Sequence, residues 1–219
     1  MSRLATLATA TCALVAASAF MPATASAKEA GDLLVRLRGL YVTPNESSSL
    51  SVGGADITGK AKVDDQVVPE LDFSYFFTDN IAAELILATT NHDVKADGTP
   101  LGASVDLGDV WLLPPTLTLQ YHLNPKGQVS PYVGAGVNYT IFYGEDAGAA
   151  QSVSYDDGFG WALQAGVDVA VTGNWFVNLD VKKLWLNTDV KITVNPTTVV
   201  DADVDLDPWI VGVGIGYRF

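Results

Sequence analysis

The sequence predicts an all-β protein, an eight-stranded antiparallel up-and-down barrel that crosses a membrane. Three observations carry that prediction. First, large apolar residues recur at every second position. In "PWIVGVGIGYRF" (208–219), Trp209, Val211, Val213, Ile215, Tyr217 and Phe219 alternate with small or polar residues, the pattern of a strand with two unlike faces. Second, mean hydropathy is positive, +0.23, although no long apolar run follows residue 27. Third, the connections alternate in length, as in barrels with short periplasmic turns and long extracellular loops.

The strands are expected to start near Leu33, Val67, Ile81, Leu113, Val129, Asp157, Trp175 and Asp207. Short turns rich in Asn, Asp, Gly or Pro sit at 78–80, 124–127 and 172–174, where such residues favour tight reversals. Long polar loops are expected at about 44–66, 91–112, 144–156 and 188–206. The long-short alternation places both termini at the end with the short turns. Pro44, Pro69, Pro114, Pro115, Pro131 and Pro208 fall at expected strand ends, where a missing N–H is tolerated.

Residues 1–27 read as a secretory signal peptide. Arg3 is the positive start, Leu4 to Phe20 is mostly apolar, and Ala25-Ser26-Ala27 offers small residues for cleavage before Lys28. The one cysteine, Cys12, lies in that leader. Residues 28–219 are then a cysteine-free exported barrel with four long extracellular loops. The formal net charge of −13 argues against nucleic acid as a partner.

A soluble barrel would turn the apolar face inward. An eight-stranded barrel has room inside only for filling side chains. The apolar face includes Leu37, Leu71, Phe73, Leu85, Leu117, Leu119, Val133, Trp161, Leu163, Val177 and Leu179, too much bulk for that lumen. It must therefore face outer-membrane lipid and lipopolysaccharide. The other face carries glycines and the charged or polar residues Arg36, Arg38, Glu70, Asp72, Glu84, Gln120, Asp168, Asn178, Asp180, Lys182 and Arg218. Buried charges persist by pairing, so ion pairs are expected across the lumen. Trp175 and Trp185 share the outer face ten residues apart, about 25 Å of height for tilted strands, the usual apolar band. A periplasmic girdle of Tyr75, Phe77, Tyr121, Trp175, Tyr217 and Phe219 is expected. Tyr41, Tyr143, Trp161, Trp185 and Trp209 should form the outer one.

The stretches "DNIAAELILAT" (79–89), "LPPTLTLQYHL" (113–123), "PYVGAGVNYTIFY" (131–143), "GWALQAGVDVAVTGNWFVNLDV" (160–181) and "LDPWIVGVGIGYRF" (206–219) strongly resemble the outer membrane protein W family. The resemblance covers the third to eighth strands. It implies an outer-membrane barrel of a Gram-negative bacterium, with passage of small, often hydrophobic molecules through a narrow, laterally opening channel. It also implies apolar constrictions in the lumen. Ile86 and Leu184 keep that character, whereas Lys182 stands where a large apolar residue is expected. The Tyr217–Phe219 ending resembles the signal read by the barrel-assembly machinery.

Lys182 needs a counter-charge, with Asp180, Glu84 or Asp168 as candidates. No cofactor, metal site or enzyme activity is expected. His122 falls near the periplasmic end, and nothing fixes His92 beside Ser104. Asp201, Asp203, Asp205 and Asp207 line one side of a strand and read as a solvated acidic rim. The leading functional expectation is a passive conduit for small hydrophobic or amphipathic solutes. A plugged structural or surface-interaction barrel and a narrow ion pore are the alternatives.

Overall fold

The computed structural model describes residues 27–99 and 102–219. The expected leader therefore lies, except for Ala27, outside the described residues. Fifteen strands form one antiparallel sheet system. In chain order they are β1 (Leu33–Thr43), β2 (Ser47–Val52), β3 (Ala55–Ile57), β4 (Lys60–Val63), β5 (Gln66–Phe76), β6 (Ile81–Ala88), β7 (Thr90–Thr99), β8 (Gly102–Leu113), β9 (Thr116–His122), β10 (Val129–Tyr143), β11 (Ser152–Tyr155), β12 (Gly158–Thr172), β13 (Trp175–Asn195), β14 (Thr198–Asp205) and β15 (Trp209–Arg218).

Eight of these close a ring: β1, β5, β6, β9, β10, β12, β13, β15 and back to β1. They match the eight expected strands. Closure removes both sheet edges, which a barrel in lipid requires because no water is present to satisfy a bare edge. Pro69 and Pro131 lie inside β5 and β10 rather than at their ends. Pro69 keeps its pairing with Gly39 of β1 and faces outward.

The two faces divide as the alternation requires. Leu37, Leu71, Leu117, Leu119, Val133, Leu163, Leu179 and Val213 are exposed on the outside. Both aromatic girdles lie on that surface. Trp175, Tyr217 and Phe219 touch edge to face at the end near the termini. At the opposite, outer end Trp111 adds to the expected girdle by lying 6.2 Å from Tyr143.

The register explains the glycines of β15. Gly216 pairs with Arg36 and Gly214 with Arg38, so each arginine side chain has a neighbour without bulk. A Cβ at Gly214 would collide with the Leu37 carbonyl and the Arg38 backbone.

The segments expected as polar loops carry β2, β3, β4, β7, β8, β11 and β14 instead. The upper half of β13 joins β3, β2, β14 and β11 in one outer sheet, and β4, β7, β8 and the top of β10 form a second. The reason is a weak alternation hidden among acidic residues. Val94, Ala96, Leu107, Val190, Ile192, Val200, Ala202 and Val204 point inward and pack into one core with Leu50, Leu112 and Phe142. The intervening charged residues face water.

Candidate functional site: a divided lumen

The lower lumen is ionic. Arg36 of β1 donates from Nη1 to Asp72 (2.8 Å) and Ser74 (2.7 Å), and from Nη2 to Asp168 (2.9 Å). Arg38 donates from Nε to Glu70 (2.5 Å) and from Nη2 to Glu84 (3.1 Å), with Asp72 also 2.8 Å from Nη2. Asp180 accepts from the Tyr132 hydroxyl at 2.7 Å, and Asn178 bridges Arg38 and Asp168. Glu84 is further bound by Gln120 (2.8 Å) and Gln164 (2.6 Å). Arg36, Asp72, Glu84 and Asp180 are 0% exposed, so these groups fill the section of the barrel. Charges this deep persist only when fully paired. The expected ion pairs across the lumen are present.

Lys182 finds its counter-charge mainly in Glu70. Its Nζ lies 2.9 and 3.0 Å from the two Glu70 oxygens and 3.2 Å from Asp180. Of the expected candidates, Asp180 takes part. Glu84 and Asp168 do not, because the arginines occupy them. Glu70 sits on β5, across the lumen from β13, a proximity that no local spacing in the chain encodes.

Nearer the termini the network continues. Lys28 Nζ reaches Asp168 (2.6 Å), Ser130 (3.1 Å) and His122 Nδ1 (3.1 Å). His122 Nε2 lies 3.1 Å from Gln120 Oε1, so the ring donates through Nε2 and accepts from the ammonium through Nδ1. Arg218 contacts the Ala27 carbonyl and the Asn174 side chain and lies 3.5 Å from Asp32. Lys28, His122, Tyr132 and Gln164 are network members that sequence reasoning missed. Inward parity on their strands was the available signal for His122, Tyr132 and Gln164. Lys28 precedes the first strand and gave none.

Above Lys182 the chemistry changes abruptly. A cavity is walled by Leu40, Ile86, Leu112, Phe142, Leu184 and Ile210 among many apolar groups, with Glu70 and Lys182 as its floor. Ile86 and Leu184 thus line the apolar space, as expected. The apolar core of the two outer sheets forms its upper wall.

One stretch of the wall around this space is unladdered. β6 pairs with β9 up to Ile86 opposite Thr116, and β7 pairs with β8 from Thr90 opposite Leu112. Between them stand residues 87–89 and Leu113-Pro114-Pro115. Neither proline has an N–H to give. The Pro114 carbonyl is taken by the Thr116 hydroxyl and the Asn138 amide, and the Pro115 carbonyl by the Tyr139 N–H.

Ser104 pairs with Asp97, further along the same ladder than His92, which pairs with Val110, so the two do not meet. Asp201, Asp203 and Asp205 are exposed along β14, but Asp207 leaves that row. Its backbone has φ 26°, its carbonyl receives Lys183, and its carboxylate receives the Leu186 N–H. Among the described residues no group of His, Cys, Asp and Glu is placed to hold a metal ion.

A closed antiparallel ring with lipid-facing apolar residues, aromatic girdles at both rims and its charges inside defines an outer-membrane β-barrel protein. The OmpW family model matches residues 29–219, and the chain belongs to the OmpW family. It is 45% identical over 187 residues to an uncharacterised outer-membrane protein of Sinorhizobium fredii, across 84% of this chain and 79% of that one. It is 36% identical over 166 residues to the dibenzothiophene metabolism operon protein PahQ of Pseudomonas aeruginosa, across 74% and 75%. The crystal structure of the outer membrane protein OprG from Pseudomonas aeruginosa superimposes with a TM-score of 0.82 at 33% identity, covering 88% of this chain and 98% of that one. The protein resides in the outer membrane of a Gram-negative bacterium.

Proposed function

We propose that the protein is a passive conduit for small hydrophobic or amphipathic molecules. Solutes enter from the outer side, dissolve in the apolar cavity, and are stopped by the ionic floor. They leave sideways into the bilayer through the unladdered wall at Pro114-Pro115. The observation that carries this reading is the division of the lumen: an apolar chamber directly above a paired ionic floor. Water and ions gain nothing from such a chamber, whereas an apolar solute does. The floor blocks the axial route, and a proline-interrupted wall is where neighbouring strands separate most easily. The name of the PahQ relative fits an apolar aromatic cargo. In this reading the solute passes unaltered: His92 bonds the Asp64 carbonyl, and His122 belongs to the floor.

The same floor favours one other reading, a plugged barrel that works through its outer surface. Uptake of an apolar fluorescent solute into liposomes carrying the purified protein separates the two. The conduit reading expects entry several-fold faster than into empty liposomes. It also expects a clear loss in Pro114→Ala/Pro115→Val, which restores two N–H donors to the wall. Equal rates with and without protein would leave only the surface reading.

A further inference from the structure

Two histidines occur in the chain, and the ionic floor accounts for His122 alone. His92 lies on β7, in the outer extension, on an inward face otherwise made of Thr90, Val94 and Ala96. It is 5% exposed, faces Val110 across the ladder, and lines the apolar cavity. An imidazole in such a wall is costly unless its nitrogens have use.

One nitrogen is accounted for. His92 Nδ1 lies 3.0 Å from the Asp64 carbonyl oxygen. A carbonyl only accepts, so Nδ1 carries the proton. Burial holds the imidazole below its ordinary pKa, which keeps the ring neutral. Nε2 is then a bare acceptor, and among the described residues it has no hydrogen-bond partner. The Thr90 and Tyr155 hydroxyls of the wall can each donate as well as accept, and several other polar groups are engaged. Thr116 donates to the Pro114 carbonyl, Thr140 to Asn138, and Thr188 to the Asp156 carbonyl; Glu70 and Lys182 hold each other. A plain structural tether to Asp64 explains Nδ1 and leaves Nε2 unexplained.

The same cavity presents an aromatic surface. Phe142 and Tyr155 stack with centroids 5.4 Å apart and planes 12° apart, and both line the chamber. A flat ring carrying one hydroxyl suits both features.

We propose that His92 is a specificity-determining residue of the chamber, whose Nε2 accepts a hydrogen bond from the hydroxyl of a small apolar molecule of the phenol class. This rests on the conduit reading and goes beyond it by naming the polar group that the chamber selects. An imidazole nitrogen that can only accept favours a solute that donates to it. An isostere with a methyl in place of the hydroxyl leaves that acceptor dry and unpaired.

The test compares p-cresol with p-xylene, which differ by hydroxyl against methyl. The full-length protein, labelled with ¹⁵N-histidine, is placed in lipid nanodiscs, and each compound is titrated with correction for its partition into lipid. His122 is the internal control. The expected result is a shift of the His92 Nε2 resonance with p-cresol, none with p-xylene, and an unmoved His122. Binding should be about tenfold tighter for p-cresol. In His92→Phe that preference disappears while p-xylene affinity is kept. The wild-type titration stands whether or not the variant folds. Equal affinities with an unmoved His92 Nε2 would overturn the assignment and leave His92 a tether to Asp64, with the conduit reading intact. Failure of both compounds to bind would overturn the assignment together with the conduit reading.

Discussion

At the residue scale, the lumen is decided by pairing. Lys182 closes the ionic floor by holding both Glu70 oxygens, the arrangement expected of a brace. Lys182→Leu leaves Glu70 with Arg38 alone and deprives Asp180 of one partner. Breaking a buried pair costs about 3–5 kcal/mol, and the Arg38 contact keeps the loss near the lower figure. Thermal melting in detergent should fall clearly, and apolar uptake into liposomes should stay near wild type. Uptake that rises in this variant would make Lys182 a gate instead. The inward placement of Glu84, Gln120, Asp168, Asp180, Lys182 and Arg218 was legible from parity on each strand. Which acid meets which base was not, because length and direction of side chains reaching across a lumen decide it, and neither follows from spacing along one strand.

At the scale of the element, β15 shows why small residues alternate with large ones. Its outward side needs Trp209, Val213 and Ile215 for lipid, and its inward side needs room for Arg36 and Arg38. Gly214 pairs with Arg38 and has backbone directly over its Cα, whereas the nearest atom to a Cβ at Gly39, on the lipid face of β1, is 4.0 Å away. Gly214→Ala should therefore cost about 1–3 kcal/mol by overpacking, read as a lower unfolding temperature on semi-native gels. Gly39→Ala should change little. Equal behaviour of the two would mean that lumen crowding does not govern the glycines. The strand-rich outer extension was the region of the fold least visible in sequence. Asp93, Lys95, Asp97, Asp201, Asp203 and Asp205 make those segments look like solvated loops, while the inward Val94, Ala96, Val200, Ala202 and Val204 are too small to announce a core.

At the scale of the whole molecule, assembly and use meet at the two ends. Tyr217 and Phe219 complete the girdle beside Trp175, and the Phe219 N–H and carbonyl close the ring onto Leu33. Deleting Phe219 removes a girdle ring and tests whether the assembly machinery reads the terminal aromatic residue. The expected outcome is a marked fall of folded protein in outer-membrane fractions, with refolding into detergent much less affected. Normal outer-membrane levels of the truncated chain would show that assembly does not read this residue. At the other end the two outer sheets wall the chamber, so one barrel combines an ionic base with an apolar top.

Period-two alternation, the long-short run of connections and the bulk of the apolar face together dictated the number of ring strands, their antiparallel order and which face meets lipid. An eight-stranded barrel cannot hold so many large apolar side chains inside, so only one assignment of faces was physically open. Three-dimensional closure was needed for the rest. It brought Glu70 to Lys182, Lys28 to Asp168 and His92 to the edge of an apolar chamber. It also set the chamber directly above the ionic floor. Those relations depend on the stagger of eight strands around a ring and on the angle at which two outer sheets meet. Both are properties of the closed barrel, and no single strand carries them.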